Sequence, residues 1–209
     1  MDGISGAYNI TPGYGGPRFS KREIREIIIS VLMLALAFTL AMMSGQWSMG
    51  IYAFLTMYVI CLILVTMSFI PHELGHKFLA QRYGAWSEYR MSIPGLLIAV
   101  AISFSGFLFA APGVVWINGR INNVQNGKIS AAGPAVNLTI GAVGIALWLL
   151  TGNIILFMIA YLNAILALFN LIPFPPLDGS KIIKWNTGVW GAMLATGVLE
   201  VLIVMGVFF

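Results

Sequence analysis

The sequence predicts an all-α polytopic membrane protein with about five transmembrane helices and a re-entrant or β-hairpin element between the second and third spans. Of its 209 residues, 59% are hydrophobic and only 9% are charged, whereas a soluble domain carries about 25% charged residues. Long apolar segments recur along the chain at lengths that suit membrane helices. The basic residues lie in four groups between those segments, as expected of loops at a membrane boundary.

A polar segment precedes the first span. Residues 1–17 are rich in glycine, proline and tyrosine without periodicity, which predicts a flexible tail ahead of a single domain over 18–209. Ser20 is a suitable helix N-cap, and Glu23 at the third position predicts a capping box. The first span is predicted over residues 27–43.

The second span is predicted to lead directly into a histidine motif. A short turn over 44–50, which includes Trp47, precedes it at the far membrane interface. The helix is expected to continue to Arg82, because Gly84 is a suitable stop. Pro71 lacks the N–H that continues the helical ladder, so the helix is expected to kink or to restart there.

The segment over 93–115 is apolar but interrupted by proline and glycine. A short strand is predicted over 114–117, followed by an Asn118-Gly119 turn and a polar return strand over 120–126. Irregular backbone at membrane depth persists only against protein or a water-filled cavity. We therefore predict an element that dips into the membrane and returns.

Three further spans are predicted in the second half of the chain. They cover residues 129–150, 154–171 and 189–209, with a tight turn over 151–153 between the first two. The second of these three ends at a proline-rich segment that leads into Leu-Asp-Gly.

The basic groups predict the orientation of these spans. They lie at 18–25, 77–90, 120–128 and 181–184, and basic residues accumulate in cytoplasmic loops. Placing all four groups in the cytoplasm excludes a single full crossing by residues 93–115. We expect a multi-pass protein of the cell membrane, with a cytoplasmic N-terminus and with the histidine-motif end of the bundle in the cytoplasm. The net charge of +4 is interpreted as contact with lipid headgroups and not with nucleic acid.

The two histidines of the chain lie in the pentapeptide HELGH at 72–76. Imidazoles at positions i and i+4 of a helix project from one face, which suits His72 and His76 as two ligands of one zinc ion. Glu73 lies between them, where a general base for a metal-bound water is expected. The alternative is a helix face with incidental polar residues near an interface. An uncharged run over 51–70 places either arrangement at membrane depth.

A catalytic zinc site needs three protein ligands and one open position. The chain has no further histidine, and Cys61 lies within a predicted span, so the third ligand is expected to be a carboxylate. Asp178 follows the proline-rich break at the same predicted depth as the histidines. The alternative for Asp178 is an N-cap for a helix that begins near Gly179.

Four polar residues inside the spans need an interpretation. Asn137 is expected either to bond a substrate backbone or oxyanion, or to bridge to a neighbouring helix. Asn170 is expected to hold a substrate strand, and Asn163 to make a packing contact between helices. Glu200 is expected to be paired within the bundle or near the membrane surface, without a catalytic role.

Three ordered motifs resemble the site-2 protease family of intramembrane zinc metalloproteases: HELGH at 72–76, GPAVN at 133–137 and NLIPFPPLDG at 170–179. The resemblance implies that His72, His76 and Asp178 bind Zn2+ and that Glu73 activates water. The implied reaction is hydrolysis of a peptide bond within or near a transmembrane segment of a membrane-protein substrate, as in regulated intramembrane proteolysis.

The resemblance also implies a substrate-binding region. Asn137 and Asn170 are expected near the substrate. The segment over 111–114 resembles the family's membrane-associated β-element, so Val114 and Val115 are expected on a strand that offers its edge to a substrate. Two other functions stay open: a metal transporter or scaffold that uses the same three ligands without hydrolysis, and a catalytically inactive family member that acts as an adaptor.

Overall fold

The computed structural model describes residues 18–45, 48, 50–108 and 111–206. Within them, seven helices and two strands follow in this order: α1 (Lys21–Met42), α2 (Gly50–Arg82), β1 (Trp86–Met91), α3 (Ile93–Ser103), β2 (Gly113–Asn118), α4 (Asn123–Thr151), α5 (Ile154–Leu171), α6 (Gly179–Trp185) and α7 (Thr187–Val204). Five of them, α1, α2, α4, α5 and α7, are long and apolar enough to cross a membrane. The predicted tail over 1–17, the predicted position of Trp47 and residues 207–209 lie outside the described residues.

The first helix begins before the predicted span because its N-terminus is capped. Ser20 Oγ accepts a hydrogen bond from Glu23 N at 3.1 Å, which confirms the predicted cap. The reciprocal half of the capping box is wrong, since both oxygens of the Glu23 carboxylate bind Lys77 Nζ of α2. A tertiary ion pair therefore replaces a local one.

The second helix is continuous through Pro71 and does not restart there. Its 33 residues make it about 50 Å long at 1.5 Å per residue, longer than the roughly 30 Å core of a bilayer. The helix ends at Arg82 as predicted, and Gly84 follows with a φ of 79°. The helix α2 is thus longer than one crossing needs, and the histidine motif lies in its C-terminal half.

The two strands form one antiparallel pair, with Trp86 opposite Asn118 and Met91 opposite Gly113. This pairing confirms a hairpin element between the second and third spans. The predicted return strand over 120–126 is wrong, because α4 begins in that segment. Asn122 and Gln125 bond each other's backbone N–H in a capping box, which starts a helix instead of a strand.

The chain passes through α3 between the two strands. Its 11 residues span about 16 Å, too short to cross a hydrocarbon core of roughly 30 Å. Because β2 is antiparallel to β1, the chain returns to the end of the bundle that it left. The element is therefore re-entrant.

The fourth helix lies at the centre of the bundle and contacts α2, α5, α6 and α7. The neighbouring α5 presents Ala160, Ala164 and Ala167, all fully buried and at helical spacing. Small side chains let membrane helices approach closely. This packing brings the C-terminal half of α2, the middle of α4 and the segment between α5 and α6 next to one another.

Candidate active site

Three side chains from distant parts of the chain converge where α2, α4 and the start of α6 meet. His72 Nε2 lies 3.1 Å from His76 Nε2, and Asp178 Oδ2 lies 3.5 Å and 3.1 Å from these two nitrogens. A tetrahedral zinc ion with bonds of about 2.0–2.1 Å separates its ligand atoms by about 3.3 Å. The three donor atoms therefore have the mutual spacing of a zinc ligand set.

The second nitrogen of each imidazole determines its protonation. His72 Nδ1 lies 2.5 Å from Asn137 Oδ1, and His76 Nδ1 lies 2.7 Å from Ile129 O. Both partners are acceptors, so each Nδ1 carries a proton and donates it. In the neutral form of the two imidazoles, both Nε2 atoms then direct lone pairs towards each other and towards a carboxylate. Such an arrangement needs a cation between the three atoms, and its chemistry fits Zn2+.

The Asn137 side chain is fully buried and links three helices. Its Nδ2 donates to Ser68 O at 3.0 Å and to Asn163 Oδ1 at 2.7 Å, while Asn163 Nδ2 donates to Ser68 Oγ at 2.9 Å. Asn137 thus makes the bridge to neighbouring helices that was one of its two predicted roles. Its amide is buried next to His72 and does not line an accessible surface. Ser68 could have been found from its spacing of four residues before His72.

The Asp178 carboxylate faces the histidines and does not cap α6. Asp178 is at the N-cap position, but its side chain makes no capping hydrogen bond. Burial alone would raise the pKa of this carboxyl, but the adjacent imidazoles hold its pKa below the ordinary value. A Cβ at Gly179 would lie 2.1 Å from Leu171 O, so the glycine permits the tight return that brings Asp178 to the site.

Gly133 provides the space that the imidazoles occupy. A Cβ there would lie 2.3 Å from His76 Nε2 and 2.8 Å from His72 Cε1. The first glycine of the GPAVN motif thus lets α4 pass directly against the face of α2 that carries the two imidazoles. Its spacing of four residues before Asn137, on the same helix face, is the signal that could have identified it.

Glu73 lies beside the three donor atoms. Its half-buried carboxylate interacts electrostatically with His72, Asp178 and Lys181. Among the described residues it has no hydrogen-bond or ion-pair partner. These electrostatic interactions leave the oxygens of the carboxylate without a hydrogen bond to the described chain.

The outer edge of β1 is covered by two side chains of α1. Glu23 Oε1 accepts from Tyr89 N at 2.9 Å, and Glu26 Oε2 accepts from Met91 N at 3.0 Å. Since Tyr89 N–H points away from β2, the N–H of the opposing Val115 points away from β1. The backbone groups of Val115 and Ile117 point to the other edge of β2, which has no partner strand among the described residues.

The remaining predicted residues lie in different surroundings. The Val114 side chain is 51% exposed and that of Val115 is buried. Asn170 is half-buried, and its Nδ2 donates to Leu166 O of the same helix at 2.9 Å. The predicted pairing of Glu200 is wrong: the side chain is buried, and neither carboxylate oxygen has a hydrogen-bond partner in the described part of the chain.

The chain is similar in sequence to known zinc metalloproteases. The profile of Peptidase family M50 matches residues 152–209. The protein named "Putative zinc metalloprotease MJ0611" of Methanocaldococcus jannaschii is 37% identical over 180 residues, which cover 83% of this chain and 89% of that protein. The chain belongs to Peptidase family M50, the site-2 protease family.

Two further relatives of this M50 peptidase support the assignment. "Putative zinc metalloprotease YwhC" of Bacillus subtilis is 30% identical over 58% of this chain and 66% of its own length. "Zinc metalloprotease MJ0392" of M. jannaschii is 29% identical over 61% of this chain and 34% of its own length. No solved structure gives a significant match. As an M50 peptidase with five candidate spans, the chain is a multi-pass membrane zinc metalloprotease with Zn2+ as cofactor.

Proposed function

We propose that this M50 peptidase is an intramembrane endopeptidase that hydrolyses a peptide bond within or near a transmembrane segment of a membrane protein, in regulated intramembrane proteolysis. His72, His76 and Asp178 hold the zinc ion. The observation that carries this proposal is the convergence of two imidazole Nε2 atoms and one carboxylate oxygen within 3.1–3.5 Å of one another, in a bundle of apolar helices.

The catalytic groups divide the reaction between them. When bound, zinc supplies a Lewis acid that polarises the scissile carbonyl and acidifies the attacking water. Glu73 accepts the proton of that water and then delivers it to the leaving amine. Asn137 and Ile129 act from behind, because they keep the proton on Nδ1 of each imidazole and so leave Nε2 free to bind metal.

The substrate is held as an extended strand. A transmembrane helix hides its carbonyls in its own hydrogen bonds, so it must unwind locally before attack. The open edge of β2 offers the backbone groups of Val115 and Ile117 for pairing with the unwound segment. Val114 adds an exposed apolar side chain beside that edge. Asn170, at the end of α5, contacts the held segment through its side-chain amide, of which one N–H already donates to Leu166 O.

Residues 18–209 act as one domain in the cell membrane, with the N-terminus and the active-site end in the cytoplasm. The re-entrant course between β1 and β2 supports this orientation, because it leaves the four basic groups on one side. A cysteine at Asn122 is expected to react with an impermeant reagent only from the cytoplasmic side. The native Cys61 is buried and serves as the background control. Labelling of residue 122 from outside would contradict the orientation.

Metal transport through the same ligands is the weaker alternative. A transport path needs several layers of ligands. Within the described ranges, His72, His76 and Asp178 are the one group of histidine, cysteine or acidic side chains close enough to share a metal ion.

Replacing the proposed base separates catalysis from metal binding. Glu73→Gln is expected to keep bound zinc and to lose cleavage of a model transmembrane substrate by about a hundredfold or more, because the amide accepts no proton. Glu200→Gln, which changes a buried carboxylate that contacts no metal ligand, is the matched control and should cleave normally. Cleavage by Glu73→Gln at the wild-type rate would mean that another group is the base.

A further inference from the structure

A fully buried ion pair joins the metal-binding helix to α1. Lys77 directly follows His76 in α2, and its side chain and that of Glu23 are 1% and 0% exposed. Lys77 Nζ lies 2.8 Å and 2.7 Å from the two Glu23 oxygens and 2.9 Å from Ser87 O of β1. The three ammonium protons therefore have three acceptors. The ring of Phe19 covers the same nitrogen, at 4.7 Å from its centroid.

The same pair holds the first strand of the sheet. Glu23 Oε1 also accepts from Tyr89 N at 2.9 Å, and Ser87 Oγ donates to Lys77 O at 3.1 Å. Ser87 and Tyr89 lie on the edge of β1 that faces away from β2. The ion pair thus binds consecutive outward-facing backbone groups of β1. This attachment is made by the residue next to a proposed metal ligand in the sequence, His76.

Stability alone does not account for such a pair. Two charges taken out of water lose about as much solvation free energy as their attraction returns, and well-packed apolar residues often replace them without loss. What apolar residues cannot supply is the set of directed bonds to Ser87 O and Tyr89 N. These bonds define where β1 lies, and through the pairing of β1 with β2 they define where the open edge of β2 lies relative to His76.

We infer that Glu23 and Lys77 are positioning residues that set the location of the β1–β2 sheet relative to the metal ligands and thereby select which peptide bond of a bound strand is cleaved. This inference rests on the proposed function, because it takes the open edge of β2 as the place of the substrate. Strand pairing repeats every two residues. A sheet that is no longer anchored presents bonds two residues away on either side.

The test compares E23L/K77M with the wild type, both as zinc-loaded full chains in lipid nanodiscs. The double variant removes both charges together and so avoids leaving one of them buried and unpaired. The matched control is R82M, which removes an exposed basic side chain from the same helix. The variant K77R keeps the positive charge and the N–H donors and is the rescue. Zinc content, amide hydrogen exchange of the two strands and the position of the cut in a model transmembrane substrate are measured for each.

We expect E23L/K77M to keep its zinc while strand amides exchange faster. Each lost hydrogen bond changes an opening equilibrium about fivefold, so the two lost bonds to β1 give on the order of 20-fold. The cut should spread from one bond to bonds two residues away, and K77R and R82M should cut like the wild type. If E23L/K77M does not fold, the same measurements are made on E23D and the same results are expected. The shortened side chain of E23D no longer reaches Tyr89 N.

Two results would overturn the inference: strand exchange that stays at the wild-type rate, or slower cleavage at an unchanged bond, which marks a merely structural role. The failure of the proposed function is a separate observation. If the wild type cuts no transmembrane substrate, endoproteolysis at this site is refuted. The hydrogen-exchange rates of the strand amides in E23L/K77M and in the wild type then still show whether the ion pair holds the sheet in place.

Discussion

Substitution of Gly133 by alanine tests the packing of α4 against the face of α2 that carries His72 and His76. In an ordinary helix this change stabilises by about 1 kcal/mol, because alanine restricts the unfolded chain. Here the added Cβ would lie 2.3 Å from His76 Nε2, while ordinary contact begins at 3.4 Å. The imidazole or the helix must therefore move by about 1 Å, several times the tolerance of roughly 0.2 Å in metal–ligand distances.

The expected result is a zinc affinity lowered by about a hundredfold or more, comparable to the largest losses seen when the groups that orient a ligand are removed. Titration of the purified protein with a competing zinc chelator measures this affinity, and the thermal unfolding midpoint without zinc is measured in parallel. Gly191→Ala on α7 is the control, since a Cβ there meets no atom within 4 Å. It should leave zinc affinity unchanged and helix stability equal or higher.

The reasoning is refuted if Gly133→Ala binds zinc as tightly as the wild type. That result would mean that the imidazoles do not occupy the space beside Gly133. A variant that loses zinc because it no longer folds would be recognised from its unfolding midpoint and is distinct from the expected result.

Three further predictions concern other parts of the site. Asn137→Ala should weaken zinc binding by about 10–100-fold, because His72 Nδ1 loses its buried acceptor; an unchanged chelator titration would argue against this role. Ile117→Pro should keep zinc but lower cleavage of a transmembrane substrate by about tenfold or more, because proline removes an N–H from the open edge of β2; normal cleavage would exclude that edge as the substrate site. Glu200→Met should raise the thermal unfolding midpoint, because both oxygens of this buried carboxylate lack a hydrogen-bond partner among the described residues; a lowered midpoint would point to a partner beyond them.

The spans and the histidine motif could be predicted because their signals are local. Apolar runs of membrane length are visible in any window, and the spacing of His72 and His76 places both rings on one helix face. Predicting the position of Asp178 needed a second inference. The order and direction of the spans had to bring a loop late in the chain next to an early helix. The structure brings its carboxylate to both rings.

The strand pairing could not be predicted in the same way. Residues 86–91 have the sequence WSEYRM, without clear alternation of apolar and polar residues or a run of β-branched residues. The backbone of β1 is instead stabilised by hydrogen bonds to Glu23 and Glu26 of α1. The Asn118-Gly119 turn signal competed with the Asn122–Gln125 capping box, and the capping box determines the local structure.

The groups that contact the imidazoles of His72 and His76 could not be predicted either, for two reasons. Ile129 acts through its backbone carbonyl, so its side chain carries no signal. Gly133 contributes the absence of a side chain, which becomes meaningful only when the position of the facing imidazoles is known.

X-ray absorption at the zinc edge of the purified protein tests the central claim most directly. Convergence of His72, His76 and Asp178 on one ion predicts a first shell of two imidazole nitrogens at about 2.0–2.1 Å with oxygen donors completing it, and no sulfur. A sulfur ligand from Cys61, a shell with one imidazole, or the absence of stoichiometric zinc would contradict it.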